Sequence, residues 1–422
     1  MPRLVALDEL DLSAYIRPGD GVVFGQGTAE PLSLTAKLAE QRRSYPGAQV
    51  FVPITFSATF DPKHADCLRF RGTGGIGSMR KMAGSGALDP IPCHISAVER
   101  LIADGLIASD VVMLLVSPPN ERGEYSLGLV NDYVRAAVSR ARVVIAEISD
   151  QVPWVYCDQP LREEEITIAV RTDVAPAELP TAAFSDRERR IAAHLQPFIP
   201  DRATLQVGIG AVPEAILASL ADRSGLGLHS GMLGDSVVDL IERGVITNAH
   251  KGIDPGVSIT GALFGTRNKL YRFAHRNPAV RLCSTRYTHD LRTLSGVKNL
   301  VSFNSALEVD LTGQVNAEAI GANHIGAVGG QVDFVRAAVL SGGVSIIALP
   351  AAGKKNESRI VSALSGPVTT ARSDVDLIAT EYGVARLKGL GLRERVRAMV
   401  AIAAPEHRDS LMREARQTWS DL

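Results

Sequence analysis

Apolar residues in this chain fall into two kinds of run. Val111-Val112-Met113-Leu114-Leu115-Val116 and Val143-Val144-Ile145-Ala146-Glu147-Ile148 are short and almost wholly apolar, and Val344-Ser345-Ile346-Ile347-Ala348-Leu349 is a third. Uninterrupted β-branched runs of this length suit strands covered on both faces. Between them lie segments with apolar positions at helical spacing, such as 96–107 and 332–340. Alternation of the two patterns predicts an α/β architecture with largely parallel sheets.

One strand–turn–helix pattern occurs twice. Residues 19–41 read GDGVVFGQGTAEPLSLTAKLAEQ and residues 202–223 read RATLQVGIGAVPEAILASLADR. Each holds an apolar strand, a G-x-G turn, a proline close behind, and a helical pattern. Pro31 and Pro213 fall where a first-turn proline costs no hydrogen bond. Gly25, Gly27, Gly208 and Gly210 permit a sharp turn and close backbone approach. The repeat predicts two related α/β halves, 1–184 and 185–422. They join in the proline- and alanine-rich stretch 175–185, after which Asp186 opens a helix.

Composition narrows the class. A chain of 422 residues can build a large core and is long for one domain. Lys and Arg number 45 against 46 Asp and Glu, for a net charge of −1, so no electrostatic footprint of a nucleic-acid binder is present. No apolar run approaches a membrane span. Acidic residues come too early for a secretory leader, at Asp8 and Glu9. Cys67, Cys93, Cys157 and Cys283 lack C-x-x-C spacing and read as reduced thiols of a cytoplasmic protein, with no metal site expected. The stretch Gly72-Thr73-Gly74-Gly75-Ile76-Gly77-Ser78 has glycine spacing without a P-loop lysine or a long helix behind it, so it reads as a structural or channel loop. Arg80 and Lys81 behind it read as a solvated basic pair or a contact to a ligand's phosphates.

Four further stretches carry chemistry. They are Gly208-Ile209-Gly210-Ala211-Val212-Pro213, the segment LHSGMLGDSVVD at 228–239, Asn304 to Asn316, and Gly326-Ala327-Val328-Gly329-Gly330-Gln331-Val332-Asp333-Phe334. Together with Ser117-Pro118-Pro119-Asn120 and Thr380-Glu381-Tyr382-Gly383 they resemble the acetyl-CoA hydrolase/transferase family, the single-chain family I CoA-transferases, across nearly the whole chain. The resemblance implies two open α/β domains of the CoA-transferase fold with an acyl-CoA site in the cleft between them. It implies coenzyme A as part of the substrate, with no metal or nicotinamide, and a small carboxylic acid or water as acceptor. It also implies a homodimer or larger homo-oligomer, with no nucleic-acid or membrane partner.

The family pattern in the second stretch is His-Ser/Thr-Glu-Met, and its glutamate attacks the thioester. Here His229, Ser230 and Met232 match, and Gly231 stands at the glutamate position. Ser236, Gly326 and Ala327 also depart from the family's residues, so both loops of one pocket have changed. The resemblance assigns Gly208, Ile209, Gly210, Ala211, Val328, Gly329 and Gly330 to backbone contacts with CoA or the oxyanion. Glu30, His229 and His324 are the candidates for a general base in place of the glutamate. Hydrolysis or C–C cleavage beside a CoA thioester, CoA transfer through a relocated carboxylate, and silent acyl-CoA binding are the three readings left open.

Overall fold

The computed structural model describes residues 2–421. Two open sheets dominate it. The first runs Arg3–Leu4, Ile168–Arg171, Val143–Ile148, Val111–Val116, Gly21–Phe24, Gln49–Phe51, Arg69–Gly72, Leu88–Pro90, and every neighbouring pair is parallel. The second runs Tyr156–Cys157, Val280–Leu282, Ser258–Leu263, Gly227–Leu233, Thr204–Gln206, Leu300–Ser305, Val344–Ala348, Leu377–Thr380, Gly383–Arg386, antiparallel only in its last pair.

The apolar runs lie where the periodicity puts them. Val111–Val116 and Val143–Ile148 are adjacent strands in register, Val111 opposite Val143, with every residue buried. Each fully buried Val, Leu or Ile there contributes about 1.5–3 kcal/mol. The repeat is also seen: Gly21–Phe24 leads through its turn into the helix Leu32–Glu40, and Thr204–Gln206 into Ala211–Ala218. The chain crosses between sheets before residue 175. Tyr156–Cys157 pairs in the second sheet, and Ile168–Arg171 then returns to the first.

In each sheet the repeated strand sits where the strand order reverses. Gly21–Phe24 lies between Val111–Val116 and Gln49–Phe51, and Thr204–Gln206 between Gly227–Leu233 and Leu300–Ser305. Such reversals open a crevice at the carboxyl ends of parallel strands. The two crevices face each other. Thr28 donates its hydroxyl to the Leu263 carbonyl (2.8 Å), and the backbone of Asn131 donates to Gly261 (2.9 Å). Gly75 N–H bonds Gly326 O (3.0 Å), and Ile95 N–H bonds Gly329 O (2.9 Å). The glycine stretch at 72–78 is therefore a docking loop for the second glycine loop. A Cβ on Gly74, whose φ is +157°, would run into the Gly326 carbonyl and the Ala327 methyl.

Among the described residues no helix is long and apolar enough to cross a membrane, and no group of His, Cys, Asp and Glu is placed to hold a metal.

Replacing Gly74 by Ala is expected to destabilise the protein by about 1–3 kcal/mol, the usual cost of forcing a methyl group into packed structure. Urea unfolding of Gly74→Ala beside the parent checks this. An unchanged midpoint would show that the two loops dock with slack.

Candidate active site

A cavity of about 370 Å3 opens where the two crevices meet. The turn Val207-Gly208-Ile209-Gly210 forms one wall, and Gly210 takes φ +117° to start the helix Ala211–Ala218. Met232, at the end of its strand in the second sheet, and Gly234, Asp235 and Phe264, just past strand ends there, form another. Phe56, Ile76 and Gly77, at the small pairing of Ile54–Thr55 with Ile76–Gly77, close it with Arg80 of the helix Met79–Gly84 and the crossing segment 179–182. Phe56 and Phe264 meet edge to face at 5.3 Å. A larger, more open hollow of about 450 Å3, around Arg122, Trp154, Tyr156 and Arg276, includes Asn120 and Cys157 but none of the candidate base or CoA-contact residues.

Gly231 is half-buried on the strand Gly227–Leu233, one residue before the cavity-lining Met232, and is not itself part of the lining. Side chains alternate along a strand, so Gly231 faces away from Met232. What fills its side is the imidazole of His289. A Cβ on Gly231 would sit 2.7 Å from His289 Nε2, and one on Gly330 would sit 2.6 Å from the same atom. His289 follows the short helix Thr285–Thr288 and packs edge-on against Phe334 at 4.8 Å. One imidazole nitrogen is thus held between the two loops that the sequence marks as changed.

The Thr288 hydroxyl lies 3.1 Å from the Ser284 carbonyl and 2.7 Å from His289 Nδ1, and its one hydrogen serves one of the two. Donated to the carbonyl, it makes Nδ1 the N–H donor of the ring and leaves Nε2 a lone pair between Gly231 and Gly330; donated to Nδ1, it puts the ring proton on Nε2. Burial holds His289 neutral, with its pKa lowered to about 3, and neighbouring His229 adds to the effect. This arrangement is a neutral base.

Other polar groups gather around this point. Asp132 is buried, accepts a hydrogen bond from Gln26, and lies against Gly261 on the strand beside Gly231. Burial raises its pKa to about 7, against the opposing Gln26 bond, and Glu99 adds to the rise. Asp333, in the first turn of the helix Gln331–Leu340, accepts from Ser96 at 2.7 Å and leaves Oδ2 buried without a partner. Burial raises its pKa to about 6. Within the cavity Glu214 accepts a hydrogen bond from Ser236.

The sequence candidates are spread around the site. Gly208, Ile209 and Gly210 line the cavity, and Ala211 begins the helix behind them. Val328, Gly329 and Gly330 form the loop against His289 and Ile95, with Gly329 at φ +56°. His229 is fully buried on the Gly231 face. Its Nε2 donates to the Thr288 carbonyl (3.2 Å), Nδ1 is buried without a partner, and its pKa is lowered to about 3 by burial and then by Lys251. Glu30 is fully buried outside the cavity, where it accepts from Thr35 (2.9 Å) and Thr55. His324 lies on the hairpin formed by Ala319–Ile320 and Asn323–His324, and its carbonyl packs on Gly75.

Two of the changed positions have packing reasons. A Cβ on Gly326 would run into the Ala317 carbonyl, so this backbone has no room for the family's serine. The Ala327 methyl meets Gly74 across the seam instead of facing the cavity. Lys81 pairs with Asp61 at 2.6 Å, while Arg80 lines the cavity and donates to the Ile325 carbonyl at 3.3 Å.

Family models of the acetyl-CoA hydrolase/transferase N-terminal and C-terminal domains match residues 5–178 and 265–415. The chain belongs to the acetyl-CoA hydrolase/transferase family. It is 39% identical to a 4-hydroxybutyrate coenzyme A transferase of Clostridium kluyveri over 402 residues, 94% of each chain. It is 26% identical to an acetyl-CoA hydrolase of Saccharomyces cerevisiae over 262 residues, 57% of this chain and 47% of that one. Among solved structures it is similar to RipA from Yersinia pestis, at 31% identity and a TM-score of 0.92 over 99% of this chain and 98% of that one. A 4-hydroxybutyrate CoA-transferase from Porphyromonas gingivalis matches at 35% and 0.83, with the same coverage. The His289 imidazole occupies the space directly before Gly231, the position at which the sequence resemblance leads one to expect a glutamate.

Both histidines should stay neutral across the physiological range. Their folded pKa values lie below the unfolded value of about 6.5. The unfolded chain therefore binds more protons as pH falls, and the stability these groups contribute above about pH 6.5 is lost on the way toward pH 3. In histidine-labelled protein, two imidazoles are expected to show no titration between pH 8 and 5. In His289→Gln the fall in urea midpoint from pH 7.5 to 5 should be smaller than in the parent. Titration of all histidines near their ordinary value would contradict the burial described.

Proposed function

We propose that the protein hydrolyses an acyl-CoA by general-base catalysis, with His289 as the base. Water adds to the thioester carbonyl while Nε2 takes its proton. The C–S bond then breaks, the proton passes to the CoA sulfur, and a carboxylic acid and free CoA leave. The observation that carries this reading is the neutral imidazole of His289, with Nε2 set against Gly231. A glutamate there would form a covalent thioester with CoA, and glycine has no atom to form one. A neutral imidazole instead can accept a proton from water, with its strength as a base reduced by the burial that lowers its pKa to about 3.

Oxyanion stabilisation has a source beside the base. The helix Gln331–Leu340 begins at Gly330, and its first intrahelical hydrogen bond is Phe334 N–H to Gly330 O at 3.2 Å. The N–H groups before it are free to face a developing negative charge. Base and donors thus converge on one side of Gly330. The turn Gly208-Ile209-Gly210 and the start of the helix Ala211–Ala218 supply further backbone donors on the cavity side.

Acyl-CoA thioesters should release free thiol, with one oxygen of the product acid taken from labelled water. His289→Ala is expected to lower kcat by roughly 10²–10⁴-fold, the range for a positioned general base. After acyl-CoA and borohydride, the peptide 228–239 should keep its mass. Gly231→Glu alone should give no CoA transfer to acetate, because its Cβ meets His289 Nε2. Gly231→Glu with His289→Ala makes room and should give measurable transfer. Borohydride reduction of a carboxylate elsewhere in the chain would replace hydrolysis by transfer through that residue. Tight acyl-CoA binding without turnover would leave a binding protein.

A further inference from the structure

The imidazole of His289 is placed by a short turn, and that turn is held from the other sheet. His289 closes the helix Thr285–Thr288. Its N–H bonds the Thr285 carbonyl at 3.1 Å, and its Nδ1 lies 2.7 Å from the Thr288 hydroxyl. A four-residue helix has too few internal bonds to hold itself, and its first N–H groups find no partner within it. Ser284, at its N-cap, makes no side-chain capping bond. Segments of the first sheet supply the acceptors. The Thr285 N–H goes to the Asp132 carbonyl at 3.2 Å. Glu99 Oε1 accepts from the Thr285 hydroxyl at 2.6 Å and from the Arg286 N–H at 3.0 Å. Its other oxygen, Oε2, lies 3.3 Å from Nε of the exposed Arg286 side chain. Glu99, Thr285 and His289 are all buried.

Glu99 belongs to the helix Ile95–Ala103, which leads from Leu88–Pro90 to Val111–Val116 of the first sheet. Ile95, Ser96 and Glu99 are spaced by three and four residues, so they share one face of that helix. All three meet second-sheet segments that surround the imidazole. Ile95 N–H bonds Gly329 O at 2.9 Å, and its Cγ2 would lie 3.2 Å from a Cβ on Gly330, the point that is 2.6 Å from His289 Nε2. Ser96 bonds Asp333 in the turn before Phe334, which packs on the ring. Glu99 holds the start of the turn that ends in His289. One helix face thus touches the ring's surroundings at three places.

We infer that Glu99 is a positioning residue for His289: its carboxyl caps the turn that aims the imidazole, so the base is set in place by the docking of the two sheets. This rests on the reading of His289 as the base. Glu99 does not line the cavity, and it acts only through Thr285 and Arg286. Without the cap the Thr285 hydroxyl and the Arg286 N–H lose their acceptor, the turn shifts, and the ring shifts with it. A misplacement of about 1 Å costs roughly 10²-fold in rate.

The test follows the ring nitrogens of isotope-labelled histidines by NMR in the full-length protein, beside turnover of acetyl-, butyryl- and succinyl-CoA. Glu99→Ala removes the cap. Glu99→Gln keeps an oxygen that can accept both bonds, and Thr285→Val removes the hydroxyl at nearly constant size. The His289 ring signals, identified by their loss in His289→Gln, should move in Glu99→Ala and stay near the parent's in Glu99→Gln. In Glu99→Ala kcat should fall roughly 10–100-fold with KM within about twofold, in Thr285→Val it should fall less, and Glu99→Gln should keep most of it. Arg286→Ala, which removes only the exposed ion pair, should leave ring signals and kcat near the parent's. A lower urea midpoint in Glu99→Ala with unmoved ring signals would make Glu99 a structural contact and overturn the proposal. Moved signals with an unchanged kcat would overturn it too. If Glu99→Ala does not fold, Thr285→Val decides by the same two readouts. Ring signals that respond to these variants, in a protein whose parent hydrolyses none of the three thioesters, would reject the hydrolase reading and keep Glu99 as the residue that places the ring. Hydrolysis lost in His289→Ala but unchanged in Glu99→Ala and Thr285→Val would do the reverse.

Discussion

Close backbone contact between the two sheets is the constraint on which everything else rests. Parallel strands end in loops, and loops rich in side chains keep two sheet ends apart. Here Gly75 N–H reaches Gly326 O at 3.0 Å, and Ile95 N–H reaches Gly329 O at 2.9 Å. Gly74 lies so near Ala327 that no side chain could stand between them. These bonds hold the two strand-order reversals against each other, beside the cavity between them. They also bring Gly330 beside Gly231, although the two residues belong to different loops, and leave between them a gap the size of one imidazole ring.

Burial without counter-ions then sets the chemistry. His229 and His289 are neutral because the interior stabilises no charge on them. Asp132 and Glu214 have raised pKa values for the same reason. A glutamate nucleophile needs its charge, and this interior penalises charge. A buried imidazole keeps its lone pair at pH 7 and incurs that penalty only at the moment it takes up a proton. The departures at Gly231, Ser236, Gly326 and Ala327 form one pattern in this light. Gly231 makes room for a base, Ser236 holds Glu214, and Gly326 with Ala327 closes the seam.

Much of the architecture was legible in the sequence because it depends on local patterns. Runs such as Val111–Val116 can only be strands covered on both sides, and the repeat at 19–41 and 202–223 marks both order reversals. Glycines at Gly208 and Gly210 announced a turn at a helix start, and that turn lines the cavity. The base was not legible. His289 sits in Arg286-Tyr287-Thr288-His289-Asp290, a stretch without a motif, 58 positions from Gly231 along the chain. Glu30, His229 and His324 drew notice because they stand beside recognisable loops. The only available signal for His289 was indirect: a small residue at a position where the family pattern has a large one asks what fills the space.

The sequence by itself determined the strands, the paired turns, the family and the absence of a side chain at residue 231. These follow from periodicity and residue identity, which are properties of neighbours along the chain. Tertiary structure alone decided that His289 fills the gap beside Gly231, that burial keeps it neutral, and that Glu214 faces the cavity. Each of these depends on which distant groups share a low-dielectric interior. Packing brings those groups together, and no pattern along the chain encodes it.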